Sequence, residues 1–246
     1  MIQTFATKTI REIALEAPET TRVFEEFKID YCCGGRKTLD EACIAAGQDS
    51  SLVAQKIQAA LDDQKARGET GELGKRSASE LIDYIIAKHH LFTAAEIERL
   101  TPLMEKVCTR HGDQHPELFK LQTIFLALAD SLIPHMRKEE VVLFPYIQML
   151  DSSLIDGGQP IPPHFGTVQN PIRMMMTDHE DDGERLRVMR EITADYTLPA
   201  EACPSFTALY AGLNDLEKDL HRHIHLENNE LFPAAVDLER KAFATV

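Results

Sequence analysis

The 246-residue chain carries 40 acidic and 26 basic side chains, a net charge of −14 at pH 7. A surface of that sign repels nucleic acid and anionic membranes, which argues against non-specific binding to either. Hydrophobic residues make up 43%, enough for a core, and no run approaches 18 uncharged apolar positions, so no transmembrane helix is expected.

The N-terminal stretch MIQTFATKTIREIALEAPE has no apolar signal region, and the expected location is the cytoplasm. Residues 1–62 are expected to form a small helical domain, with short helices near 7–16, 19–29, 38–46 and 50–65. Thr38 and Glu41 have capping-box spacing and support the third of these. The non-helical feature is DYCCGGRK, residues 30–37. Its glycines allow close backbone approach, and Arg36 and Lys37 are expected to lower the pKa of a nearby thiol. Cys32 and Cys33 are therefore candidates for redox or metal-handling chemistry. The odd total of five cysteines suits a reduced compartment better than a disulfide framework.

Residues 63–76, glycine-rich and charged, read as a linker. Residues 77–246 read as four long helices, near 77–110, 115–150, 165–196 and 203–241, separated by turns rich in Gly, Pro and polar residues. The expected architecture is all-α: an up-down-up-down four-helix bundle preceded by the small helical domain. The second helix has an apolar seam of Leu118, Leu121, Phe125, Leu128, Leu132, His135, Glu139 and Val142. The fourth repeats it with Phe206, Leu209, Leu213, Leu216, Leu220, His223, Glu227 and Ala234.

Both seams carry H-x3-E-x3-L-F-P, in HMRKEEVVLFP (135–145) and HIHLENNELFP (223–233), 88 residues apart. A buried carboxylate without a partner costs several kcal/mol, roughly, so each glutamate asks for a compensating group. The first and third helices place His90 and His179 on their seams. Midpoints between neighbouring histidines fall near residues 112, 157 and 201, each in a predicted turn. Antiparallel helices rise equally per residue, so the four histidines lie at one depth, with Glu139 and Glu227 one turn away.

Four imidazoles and two carboxylates at one level of a bundle make a dinuclear metal site, with the glutamates placed to bridge and positions left open for an oxo or hydroxo bridge and a small ligand. The nitrogen and oxygen donor set suits iron, manganese or zinc, and iron is the choice for a carboxylate-bridged pair. Spacing does not assign which histidines share a metal; pairing within each hairpin, His90 with His135 and His179 with His223, is the preferred arrangement. Leu143, Phe144, Leu231 and Phe232 are expected to cover one end of the site, and Pro145 and Pro233 to kink or end their helices. Pro134 is expected to open a local defect beside His135, and Asp178 to stand behind a ligand. His89, His111, His115, His164, His221 and His225 do not fit the depth pattern.

Together, DYCCGG and the two H-x3-E-x3-L-F-P copies resemble the Repair of Iron Centres family, of the ScdA/YtfE type, over nearly the whole chain. The resemblance implies an ScdA-type N-terminal domain, a hemerythrin-like bundle and two non-haem iron ions. It puts His90, His135, Glu139, His179, His223 and Glu227 on the iron ligands, and Cys32 and Cys33 on the family's cysteine pair. It also implies repair of iron–sulfur clusters damaged by nitric oxide or peroxide, with damaged proteins or a cluster scaffold as partners and nitric oxide or oxygen species as small ligands. A homodimer is a compatible assembly. The alternatives are a nitric oxide or oxygen sensor or carrier, and a nitric oxide or peroxide reductase.

Overall fold

A computed structural model describes residue 5, residues 8–66 and residues 76–244. Most of the expected linker, from residue 67 to residue 75, lies outside the described residues, and its first residues belong to a helix. The N-terminal unit consists of α1 (Ile10–Glu16), α2 (Thr21–Glu26), α3 (Leu39–Ala46) and α4 (Ser50–Ala66). Thr9 with Glu12 and Thr38 with Glu41 form reciprocal capping boxes that start α1 and α3. Ile10, Phe24, Tyr31, Leu39 and Ile57 are buried at the centre of this unit.

Four rods follow. The first joins α5 (Ala78–Ile85) to α6 (Leu91–His111), and the second joins α7 (Glu117–Lys138) to α8 (Phe144–Asp156). The third is α9 (Gln169–Ile192), and the fourth joins α10 (Pro204–Leu226) to α11 (Phe232–Ala244). No described helix is long and apolar enough to cross a membrane.

Each divided rod is continuous through one five-residue π turn: Ile86–His90, Glu139–Leu143 and Glu227–Leu231. A π turn inserts one residue, so the buried stripe slips by one position beyond it. This corrects the expected seams. Val142 faces solvent and Leu143 is buried; Ala234 is half-buried and Ala235 fully buried. It also corrects the expectation for the prolines. Pro145 and Pro233 occupy the second position of α8 and α11, where a missing N–H costs little, and the rods continue. α7 runs unbroken through Pro134, and its irregular turn begins at Glu139.

The bundle holds two separate hydrophobic cores. The larger includes Leu100, Met104, Leu121, Phe125, Leu128, Leu186, Met189, Leu209, Leu213 and Leu216. The smaller includes Leu81, Ile85, Leu143, Phe144, Ile147, Ile172, Met175, Leu231 and Phe232. Each buried Leu or Phe contributes about 1.5–3 kcal/mol. The level between the cores lacks that contribution, because there the bundle buries histidine and glutamate.

Candidate metal centre

His90 closes the first π turn, while Glu139 and Glu227 open the second and third. His135 and His223 stand one turn earlier on α7 and α10, and His179 lies within α9. All six side chains are buried. His90 Nε2 lies 3.1 Å from His223 Nε2, and His135 Nε2 lies 3.1 Å from His179 Nε2. Glu139 reaches both pairs, at 3.5 Å from His90 Nε2 and 3.4 Å from His135 Nε2. Glu227 does the same, at 3.0 Å from His223, 3.1 Å from His179 and 3.9 Å from His90. Two clusters result, His90–Glu139–His223–Glu227 and His135–Glu139–His179–Glu227, and they share both carboxylates.

The level is the one expected from the turns, but the pairing is not. The pairs form between the first and fourth rods and between the second and third. Equal depth fixes how far along a helix a side chain lies and leaves open which neighbour it faces. α10 lies against α6 and α9 against α7, and the imidazoles meet across those two contacts.

The outer nitrogens show what the inner ones require. His90 Nδ1 donates to Glu140 at 2.7 Å, His135 Nδ1 to Asp178 at 3.1 Å and His179 Nδ1 to the Asn228 side-chain oxygen at 2.9 Å. A carboxylate only accepts, so the proton sits on Nδ1 and each Nε2 turns a lone pair inward. Two such lone pairs 3.1 Å apart repel unless a cation lies near both. Neither oxygen of Glu139 has a hydrogen-bond partner, although the residue is wholly buried. A pair of divalent metal ions fits this donor set: it would neutralise both carboxylates and accept the three fixed lone pairs, with His223, whose Nδ1 has no partner, free to offer a fourth.

In the metal-free protein a proton takes the cation's place. Burial alone would depress the His135 imidazolium, but the charges of Glu139 and Glu227 and the bond to Asp178 outweigh it and push the pKa up to about 10. His135 is then protonated at neutral pH and must lose that proton when a metal enters. Metal binding is expected to release protons and to weaken as pH falls below 10, which calorimetry in buffers of differing ionisation enthalpy would measure. Proton-independent binding at pH 7 would contradict the geometry. Asp178→Ala frees the His135 ring to turn, and is expected to weaken metal binding about 10–100-fold by competition with a chelator.

One end of the site, on the side of the smaller core, is closed by the residues expected there. Phe144 stacks on His90 with centroids 5.7 Å apart, and Phe232 on His179 at 6.0 Å. His89, outside the depth pattern, stacks on His223 at 5.8 Å and bonds Asp219 through Nδ1.

Against known proteins, the description "Hemerythrin HHE cation binding domain" matches residues 81–235, and ScdA_N, a domain of unknown function, matches residues 6–61. A probable iron-sulfur cluster repair protein of Haemophilus influenzae is 34% identical over 240 residues, covering 95% of this chain and 98% of the relative. The chain belongs to the YtfE/ScdA family of hemerythrin-type proteins. The iron-sulfur cluster repair protein YtfE of Dickeya chrysanthemi is also 34% identical, covering 93% of this chain and 96% of its own. ScdA of Staphylococcus epidermidis is 30% identical, covering 91% and 95%.

In this YtfE/ScdA-type chain the two signature motifs touch. Asn229 Nδ2 donates to the carbonyls of Tyr31 and Cys32, each at 3.2 Å. Asn228 donates to the Cys32 carbonyl at 3.4 Å while its own oxygen accepts from His179. The glycine pair makes this docking fit. A Cβ on Gly35 would stand 2.8 Å from the Asn229 side chain, and one on Gly34 would stand 2.8 Å from the Asp30 carbonyl. Farther along, Glu25 of α2 bonds His221 of α10 at 2.9 Å. Cys33 is exposed, and its Sγ lies 3.9 Å from the His179 carbonyl.

The expected activation of the cysteines by Arg36 and Lys37 is not found. The bond to Cys33, then burial, then the charges of Cys33 and Asp30 push the Cys32 thiol well above its ordinary range. The neighbouring thiol and burial lead, with the loop's own carboxylate behind them, and neither cation is among the leading causes.

Sequence reasoning missed Glu140, Asn228 and Asn229. Their signal is position alone. Glu140 directly follows Glu139, and the two asparagines directly follow Glu227.

Proposed function

We propose that His90, His135, Glu139, His179, His223 and Glu227 hold two iron ions, and that this di-iron protein repairs iron–sulfur clusters damaged by nitrosative or oxidative stress in the cytoplasm. The observation that carries the reading is the convergence of four buried imidazoles, three of them with lone pairs fixed inward, on two carboxylates, one of which has no hydrogen-bond partner. The names of the relatives, iron-sulfur cluster repair proteins over nearly their whole length, support the repair role. Bound iron would supply coordination positions for a small ligand and a store of ions that can be given up.

The chain's own residues prepare the site. Glu140, Asp178 and Asn228 fix three ring orientations, Phe144 and Phe232 cover the end that faces the smaller core, and Glu139 and Glu227 span both positions. Four histidines leave the pair less saturated than the five-histidine site of oxygen-carrying hemerythrins, which favours iron donation over reversible oxygen storage. Residues 1–62 form the ScdA-type unit in this reading and residues 77–246 the di-iron bundle. Cys32 and Cys33 handle iron or electrons at the boundary between them.

The test is metal analysis of anaerobically purified protein beside His223→Ala plus Glu227→Ala, followed by repair of a nitric-oxide-damaged cluster enzyme. About two irons per chain, lost together with repair in the variant, is the expected result. Equal metal in both proteins would overturn the ligand assignment, and equal repair would overturn the function.

A further inference from the structure

The DYCCGG loop has a geometry that redox chemistry alone does not require. The Cys32 and Cys33 sulfurs are 3.8 Å apart, and Cys32 Sγ is 3.3 Å from Asp30 Oδ1. Two sulfurs on one tetrahedral ion, with bonds of about 2.3 Å, lie about 3.8 Å apart; a sulfur and an oxygen lie about 3.5 Å apart. Two of the three donor–donor distances thus match edges of one tetrahedron, and all three ligand atoms lie within 4.8 Å of one another.

The arrangement is braced. Asp30 Oδ1 accepts the backbone N–H of Cys32 at 3.1 Å and of Cys33 at 2.9 Å, and Gly34 allows the chain to fold closely over Asp30. It is also open on one side. Asp30, Cys32 and Cys33 line a cavity of about 680 Å³ between the N-terminal unit and the bundle, with Glu180 and Glu184 of α9 on the far wall.

We propose that Asp30, Cys32 and Cys33 form a second metal site, which takes a single thiophilic divalent cation and leaves its fourth position open to the cavity. Binding replaces the two thiol protons with one dication, so the mutual repulsion of two thiolates and a carboxylate becomes attraction. The identification of that ion as iron leaving the bundle rests on the repair reading; the existence of the site does not. Cys33 Sγ lies 3.9 Å from the carbonyl of His179, which puts this loop on the outer wall of the di-metal level. An ion held here has left the imidazole cage and faces solvent, where an acceptor thiolate can complete its coordination.

The test adds cobalt(II) to the reduced, iron-loaded full chain without oxygen and follows absorption. A thiolate-to-cobalt charge-transfer band saturating at one equivalent is expected. It should vanish in Cys33→Ser, whose side chain is exposed and whose loss leaves the fold intact by circular dichroism. Asp30→Asn should weaken the apparent affinity at least tenfold. The band should persist in His223→Ala plus Glu227→Ala, which separates this site from the bundle, whose donors contain no sulfur. Absence of the band from the full chain, or its survival in Cys33→Ser, would overturn the proposal.

Discussion

Glu139→Leu is expected to lose metal and yet, once both proteins are stripped of metal, to be the more stable of the two. Both oxygens of Glu139 are buried without a hydrogen-bond partner, a condition that costs about 1–3 kcal/mol in the metal-free state. Leucine at that position would join the two flanking cores with an apolar side chain. His135, relieved of the carboxylate that raises its pKa, can give up its proton and remain buried as a neutral ring. The metal-free variant should gain about 1–2 kcal/mol in urea denaturation, since the substitution removes a buried carboxylate whose two oxygens have no hydrogen-bond partner. Its metal content should fall to one ion or fewer per chain. A metal-free variant less stable than the parent would show that the carboxylate is already satisfied without a cation.

Phe125→Ala is expected to act in the opposite way. Phe125 is fully buried in the larger core, between Leu121 and Leu128 on the seam of α7 and well below the metal level. Truncating a buried phenylalanine costs about 3–5 kcal/mol through lost burial and the cavity left behind. Folded variant should nevertheless bind the same number of metal ions as the parent, because no ligand or ligand-orienting residue touches that layer. Chemical denaturation and metal analysis of the folded fraction would check both statements. Loss of metal at unchanged stability would mean that the two levels are not independent.

The contrast explains what could be read in the sequence. The seam of α7 was legible because leucines at helical spacing carry the reader directly to His135 and Glu139, and both are buried as that spacing requires. The common depth of the four histidines was legible because turns announce themselves through Gly and Pro. Azimuth was not, so the pairing of His90 with His223 had to come from packing. The π turns were illegible for a different reason. One added residue leaves no trace in composition, and the slip from Val142 to Leu143 emerges only when side chains on neighbouring rods compete for the same space. Docking of DYCCGG against Asn228 and Asn229 joins positions almost 200 residues apart, and no local pattern reports such a contact. Arg36 and Lys37 misled because nearness in sequence was taken for nearness in charge, whereas Asp30 is the group that the thiol meets.

The two cores on either side of the metal level have a mechanical consequence. The smaller one, built on α5, α8, the start of α9 and α11, meets the larger through a plane of histidine and glutamate. In the di-iron reading proposed above, the ions would act as rivets between two blocks that are each apolar enough to stay folded. Removing them should loosen the smaller block alone, with faster amide exchange in α8 and α11 and little change in the first half of α7. Uniform protection in both blocks would refute it. In that reading, a protein so divided would give up its ions by opening at one end, with the longer half remaining as the template on which the cage closes again.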